Sequence, residues 1–530
     1  MAEKRLTRVL NGLESKDLLS DYQEVFDNWL EEGIIERVPN HELAKDIYYL
    51  PHRPVIKENS STRIHPVFDA SAKTKLGSSL NDCLETGANL IELIPHLLMR
   101  FRERRIGVIA DIRKAFLQIS IRPEDRDNLR FLWKESPEQS EYQVLRHRRV
   151  VFGVSSSPFV LGATLDLHLD TAIFTQDSEN DEELVRQLKQ SFYVDNCVTS
   201  VDFLQCAEKF QEVATRTLKA GGFDLRDWEH SGMSGVKAES SVLGLRWNRV
   251  NDTLSLVCTV LQEEQPELVM KRIILSIAQK LFDPLGMICP VLIYPKLLLQ
   301  RFWDKQLGWD TEVDVDTRDS FASWKEQLNC LRELSIPRWI FGAGIAEASI
   351  SLHAFVDASN TAYASVIYAS VELPDEVDVQ FLIAKSRVAP KDSTTIPRLE
   401  LLGATVGARL MDSVVSALTD KQPELYYWTD SLTVLAWIQR DKPWATFVWN
   451  RVQEIRRLSE PNAWRHIPGT LNPADLPSRE CTAKQLVDSD WHKGLDWLRL
   501  PPECWPSTIV SADETEVSRE IKKTAKKTDK

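Results

Sequence analysis

Phe192-Tyr193-Val194-Asp195-Asn196-Cys197-Val198 is an apolar run interrupted only by an Asp-Asn pair. The pattern reads as a β-hairpin with acid at its tip, since Asp and Asn favour the short loops that join antiparallel strands. Asp-Asn is also an ordinary turn dipeptide, but a carboxylate fixed on a tight turn is well placed to grip a metal ion. Upstream, Ile106-Gly107-Val108-Ile109-Ala110 reads as a buried strand that delivers a lone acid, Asp111, at its end. Two carboxylates from two strands are the minimum for a two-metal phosphoryl-transfer site. Asp111 and Asp195 are therefore the first candidate pair.

A second set of acids lies in the C-terminal half. Asp357 ends the strand text Ile350 to Phe355, and Asp430 follows Leu425-Tyr426-Tyr427-Trp428-Thr429. Glu400 falls in the first turn of a helix predicted from about Pro397 to Leu418, with Thr394 and Thr395 as cap candidates and an early proline. Asp475 sits in the loop text Asn472-Pro473-Ala474-Asp475-Leu476-Pro477. A carboxylate beside apolar text must be exposed, hydrogen-bonded or metal-bound. Any one of these acids reads as a cap or surface residue; four in the order strand, helix, strand, loop read as a site. Hard oxygen ligands suit Mg²⁺ or Mn²⁺ rather than zinc.

The rest of the chain supports several folded domains. Its 530 residues allow two to four of them, and its composition is that of a globular protein. A net charge of -13 argues against a protein that merely coats nucleic acid, although a basic channel can hide within such a sum. The eight cysteines show no zinc spacing, which fits reduced thiols. No signal peptide opens the chain and no run of about 18 apolar residues suggests a membrane span. Residues up to about Pro39 look helical, Ile47 to Phe68 strand-like, and Asn89 to Arg104 like an amphipathic helix that Pro95 kinks. Beyond Trp505 the text turns to Ser, Thr, Glu and Lys and predicts a disordered tail.

These pieces carry a resemblance. Val108-Ile109-Ala110-Asp111-Ile112-Arg113-Lys114-Ala115-Phe116 is similar to the first catalytic motif of reverse transcriptases. Phe152-Gly153-Val154-Ser155-Ser156-Ser157-Pro158-Phe159 is similar to their Phe-Gly template and nucleotide motif, and the Asp195 hairpin to their catalytic hairpin. Gly221 to Leu225 and Leu243 to Trp247 resemble later palm motifs. The C-terminal order β-β-β-α-β-α with its four acids resembles the ribonuclease H fold. Val67 to Lys73 with Ser79-Leu80-Asn81-Asp82, and Phe282-Asp283-Pro284-Leu285-Gly286, resemble the Pao/BEL group of long-terminal-repeat retrotransposons.

The resemblance implies an α/β and α+β multidomain chain. A right-hand polymerase of fingers and palm (1–255) and thumb or connection helices (256–345) would precede a ribonuclease H-like mixed-sheet domain (346–485) and an extension with a disordered tail (486–530). It implies RNA-directed DNA synthesis and cleavage of the RNA of an RNA–DNA hybrid, both with Mg²⁺ or Mn²⁺. Asp111 and Asp195 would hold metal in the palm; Asp357, Glu400, Asp430 and Asp475 would hold it in the ribonuclease unit, with Ser431 and Arg479 near the substrate. Phe116 occupies the position of the ring that excludes a ribose 2′-hydroxyl, and reads otherwise as a core aromatic. Lys57 and Arg63 are candidate phosphate contacts, and Phe152, Gly153 and Asn196 candidate substrate contacts.

One departure stands out: Asn196 replaces the second aspartate of the hairpin, and its neutral oxygen is a weaker metal ligand. Two rivals follow, a ribonuclease with a disabled palm and a non-catalytic nucleic-acid-binding protein derived from a retroelement. The implied partners are RNA template, DNA primer, RNA–DNA hybrid and dNTPs, with protease and integrase of the same polyprotein and no membrane. The text reads as a processed product, a truncated gene model or a fragment of a longer polyprotein, acting in a cytoplasmic retroelement particle or the nucleus and not secreted.

Overall fold

The computed structural model describes residues 2–522 other than 44–46, 57–63, 75–76, 137–138, 140, 177, 233–237, 260–265, 267, 343–348, 375, 392–393, 420–421 and 508–510. The chain forms two compact units. One comprises Met1–Glu92, Ala110–Cys197 and Glu208–Trp228; the other comprises Leu93–Ile109, Val198–Ala207 and Glu229–Lys530. No helix among the described residues is long and apolar enough to cross a membrane.

In the first unit, helices Ala2–Glu14 and Leu19–Glu31 turn Leu6, Leu10, Leu13, Tyr22 and Phe26 inward. They share a core with a three-stranded antiparallel sheet, Ile35–Arg37, Gln143–His147 and Arg130–Trp133. Beside it lies the hairpin His52–Ile56 and Ile64–Phe68. Its core carries a buried histidine, His52, hydrogen-bonded to Tyr22 Oη (2.9 Å) and to the Leu132 carbonyl (3.1 Å). Burial pushes His52 down to about 4, so it is neutral at physiological pH. Tyr48-Tyr49-Leu50, read as strand text, forms no strand.

The Asp111 strand, Ile106–Ile112, belongs to a four-stranded sheet. Its order is Phe192–Tyr193, Asn196–Val201, Ile106–Ile112, Leu225–His230. The preceding helix is Ile94–Glu103, not Asn89 to Arg104. Pro95 lies in its first turn, where a missing N–H is tolerated, so it starts the helix rather than kinking it.

The second unit contains a five-stranded mixed sheet. Its order is Val377–Val388, Ala362–Glu372, Ser349–Ala358, Glu424–Thr429, Trp464–His466. The first three strands are antiparallel and the last two join in parallel. Helix Ile396–Ala417 lies against the two central strands, which are buried almost throughout. Its core also takes in helices Lys271–Lys280, Cys289–Asp304 and Val315–Gln327. Gly286 shows how closely the Asp283–Gly286 turn meets the sheet: its φ is +75°, and a Cβ there would lie 1.9 Å from the Ala384 carbonyl oxygen. Two buried arginines tie helix Ile94–Glu103 into this unit. Arg102 donates to the carbonyls of Phe381, Leu382 and Pro337. Arg338 donates to both Asp252 oxygens, each at 2.7 Å, and to the Phe101 and Arg104 carbonyls.

Two expectations are corrected. The predicted disordered tail is folded over residues 511–522: it contains a helix, Glu514–Ser518, and Val517 is fully buried. Asp475 is not on an open loop but begins a short helix, Asp475–Ser478.

Candidate active sites

The first site is built by two strand ends and a turn. The Ile112 N–H donates to the Asp195 carbonyl at 2.9 Å, which brings the ends of the Asp111 strand and the hairpin together. Tyr193 pairs with Asn196, leaving Val194 and Asp195 as a two-residue turn. Val194 has φ +59°, a conformation that a β-branched residue adopts only under strain of order 1–3 kcal/mol. Asp111 is half-buried, and its carboxyl is pushed up to about 6, first by burial, then by Asp195 and by Asp227, with Arg226 opposing. Asp227 was not read from the sequence. It lies on the strand Leu225–His230 with φ +56°, where two successive exposed residues, Arg226 and Asp227, break the alternation. That polar pair after Gly221-Gly222 was its only signal. Asn196 Nδ2 donates to Asp195 Oδ1 at 3.0 Å, so the residue in place of a second aspartate occupies one lone pair of the first.

The aromatic candidates meet each other. Phe116, 5% exposed, packs edge-on against Phe152, 48% exposed, with centroids 4.6 Å apart. Gly153 has φ +96°, and a Cβ there would lie 2.2 Å from the Phe68 carbonyl oxygen, so only glycine fits. Asn81 fixes this loop by donating to the Gly153 carbonyl (3.1 Å) and accepting from the Ser155 N–H (2.9 Å). Lys57 and Arg63 lie outside the described residues.

The second site follows from strand register. Val356 pairs with Thr429 in parallel, so Asp357 and Asp430 leave adjacent strands at the same end. Glu400 approaches them because its helix carries Gly403 and Gly407. A Cβ at Gly407 would lie 2.5 Å from Val356 Cγ1, and one at Gly403 would lie 3.1 Å from the Asp357 carbonyl oxygen. Burial, followed by Asp430, Asp357 and Glu516, pushes Glu400 up to about 7 against a hydrogen bond from Ser431. Asp357 and Asp430 are also raised, foremost by burial, and both are acted on by Asp475. Asp430 Oδ1 is buried with no protein hydrogen-bond donor.

Asp475 is held by Arg479, whose Nε donates to its Oδ1 at 2.5 Å, while Ser478 Oγ donates to Asp357 Oδ2. Asn472 Nδ2 secures the loop on the Val356 carbonyl at 2.9 Å. Ser478, Asn472 and Glu516 went unread; the first two flank Asp475, and nothing local marks the third.

The structure thus sets Asp111 with Asp195, and Asp357 with Glu400, Asp430 and Asp475. Among the described residues, however, no three acidic, His or Cys side chains stand at metal-cage spacing. Mg²⁺ is ordinarily held by one or two carboxylates and completed by substrate phosphates and water. An all-oxygen donor set with an unsatisfied buried oxygen fits such an ion.

This mixed α/β multidomain chain resembles a retroviral reverse transcriptase with a ribonuclease H-like domain. Among solved structures it is similar to the foamy viral protease-reverse transcriptase dRH in complex with double-stranded DNA, with a TM-score of 0.55 at 12% identity over 85% of this chain and 69% of that one. It is likewise similar to the foamy viral protease-reverse transcriptase bound to an RNA/DNA hybrid and to double-stranded DNA. Both give a TM-score of 0.53 at 12% identity over 85% of this chain, covering 53% and 82% of those chains. More particularly, residues 270–431 match the family model of the Pao retrotransposon-like RNaseH-like domain. No curated protein matches the chain in sequence.

Proposed function

We propose that the chain is an RNA-directed DNA polymerase with a tethered ribonuclease H, of the Pao/BEL retrotransposon kind. The Asp111 sheet is its palm, and helices Lys271–Lys280 and Cys289–Asp304 belong to its thumb and connection. The observation that carries the reading is the meeting of Asp111 and Asp195, 84 residues apart (195 minus 111), at one strand end, in a chain with a ribonuclease H-like domain. Asp111 and Asp195 would hold Mg²⁺ or Mn²⁺ in the palm; Asp357, Glu400, Asp430 and Asp475 would hold it in the ribonuclease domain. When bound, the ions supply charge neutralisation and activation of the attacking oxygen. Phe116, braced by Phe152, sets a wall against a ribose 2′-hydroxyl and so favours dNTPs. Arg479 positions Asp475, and Ser478 orients Asp357. Template, primer and hybrid are gripped mainly through phosphates, so affinity falls steeply with salt.

A second reading has its own observation. Asn196 donates to Asp195 Oδ1 and so competes for a carboxylate that would hold a palm metal; on that reading the chain is a ribonuclease with a silent palm. Primer extension on an end-labelled RNA template with dNTPs and Mg²⁺ or Mn²⁺ tests both. Extension with template cleavage supports the first reading, cleavage alone the second, and neither signal refutes both. In an active chain, Asp111→Ala abolishes synthesis and spares cleavage, and Asp430→Ala does the reverse.

A further inference from the structure

Segment 511–522 packs acids against the elements of the second site. It carries Asp513, Glu514, Glu516 and Glu520 against Arg519 and Lys522. Arg398 Nε donates to Glu520 Oε1 at 2.6 Å. Arg440 holds both oxygens of Glu514, at 2.7 and 2.8 Å. Thr433 Oγ1 donates to Glu516 Oε2 at 3.4 Å. The two arginines lie on the elements that carry the second site: Arg398 precedes Glu400 by two residues, and Arg440 caps the far end of helix Leu432–Gln439, which follows Asp430. Glu516 acts on Glu400 as a like charge.

What anchors the segment is separate from these charges. Val517 is fully buried and its carbonyl accepts from Trp437 Nε1 at 3.1 Å. The Ala445 N–H donates to the Glu520 carbonyl at 2.6 Å, and Trp444 bridges to Ile521. An acid placed beside a cluster of raised carboxylates is electrostatically unfavourable, so packing of Val517 holds Glu516 there against repulsion. Carboxylate and phosphate satisfy an arginine fork in the same way.

We propose that Arg398 and Arg440 form a phosphate-contacting surface for an RNA–DNA hybrid, and that the acidic segment 511–522 covers this surface and yields when the hybrid binds. The proposal rests on the reading of the second site as hybrid-cleaving. Two ion pairs must break before either arginine meets a phosphate: Arg440–Glu514, which is open to solvent on the acid's side and individually weak, and Arg398–Glu520, whose carboxylate is largely buried.

The test is binding of a short RNA–DNA hybrid to the full chain by fluorescence anisotropy, in chelator, across a salt series. Glu514→Gln/Glu516→Gln/Glu520→Gln, which retains Val517, should bind about tenfold tighter than wild type, with a slope of log affinity against log salt steeper by about 2. Adding Arg398→Gln and Arg440→Gln should erase that gain. Val517→Asn, which dislodges the segment by packing and leaves its charge unchanged, should tighten binding in the same direction. Hydrogen exchange over 511–522 should rise when hybrid binds wild type. Wild type that binds and cleaves hybrid while the triple variant binds no tighter, or a segment that keeps its protection with hybrid bound, overturns the covering role and leaves the ribonuclease reading standing. Hybrid that binds neither protein overturns both.

Discussion

Asn196→Asp probes the first site through a change of few atoms. In wild type Asn196 donates to Asp195 at 3.0 Å. The substitution removes that donor and sets a second negative charge beside Asp195, which already helps to push Asp111 up to about 6. A hydrogen bond to a charged group is worth roughly 1.5–3 kcal/mol when buried; Asn196 is exposed, so about 1 kcal/mol is the fitting figure. A like charge at about 4 Å in near-aqueous surroundings adds about 1 kcal/mol. In chelator at pH 8 the variant should lose about 2 kcal/mol, a fall in Tm of roughly 4–8 °C for a unit of this size. Mg²⁺ or Mn²⁺ should reverse the sign, because the new charge becomes a ligand. The metal concentration that half-restores Tm should drop by about tenfold relative to wild type. Thermal melts across a metal titration read both effects, and primer extension at limiting metal should rise in parallel. A variant as stable as wild type in chelator, with an unmoved metal midpoint, would refute the account of Asn196 and of the carboxylates around it.

Glu400 supplies a pH prediction. Its folded pKa of about 7 exceeds the ordinary 4.5, so its contribution to stability is complete near pH 4.5 and is lost as pH rises through about 7. In chelator, Glu400→Gln should therefore gain on wild type by up to about 3 kcal/mol at pH 8 and not at pH 5; denaturant melts at both pH values check it, and a pH-independent difference counts against it. Buried His52 titrates in the opposite sense, so only the difference between the two proteins is informative. Gly286→Ala should destabilise by at least about 3 kcal/mol, since a positive φ and a backbone oxygen 1.9 Å from the new Cβ leave it no room; an unchanged Tm would contradict the close turn-to-sheet contact. Arg338→Met should cost about 3 kcal/mol by leaving two helix-end carbonyls without a donor and taking from Asp252 its cation, although Ser231 and Trp247 still donate to it, and adding Asp252→Asn should recover part of that loss in a double-mutant cycle.

What the sequence disclosed, and what it hid, divides along physical lines. The Asp195 hairpin and the Asp357 and Asp430 strands were legible because burial forces an apolar pattern that an acid visibly interrupts. The helix from Ile396 was legible because its apolar stripe repeats over many turns. Asp227 was not, since its place beside Asp111 depends on a left-handed residue in a strand of polar text. Strand Trp464–His466 is three residues long, too short for any alternation to register. Segment 511–522 was misread because its composition is mostly polar, with only Ala512, Val517 and Ile521 apolar. One buried valine and backbone contacts to Trp437, Trp444 and Ala445 anchor it, while its acids pair with Arg398 and Arg440; such long-range contacts leave no local trace.

The two acid clusters also differ in kind from the charges that merely hold the chain together. Glu36, Glu42 and Asp127 converge on Arg146, at 2.7, 2.5 and 2.6 Å, and Arg130 lies 2.8 Å from Asp127. There each carboxylate meets a guanidinium, and the network is complete without a ligand. At the candidate sites the carboxylates face one another. Asp195 and Asp227 act on Asp111, Asp430 and Asp357 on Glu400, and the carboxyls are driven toward neutrality near physiological pH. Arg479 meets Asp475 alone at hydrogen-bonding distance. A fold that gathers acids without matching cations carries a penalty that protonation or a bound cation must offset. Protonation relieves it only below about pH 6–7; above that range the remaining remedy is a bound cation. That asymmetry, acids matched one by one with guanidiniums in one place and set against one another in two others, separates a scaffold from a candidate site.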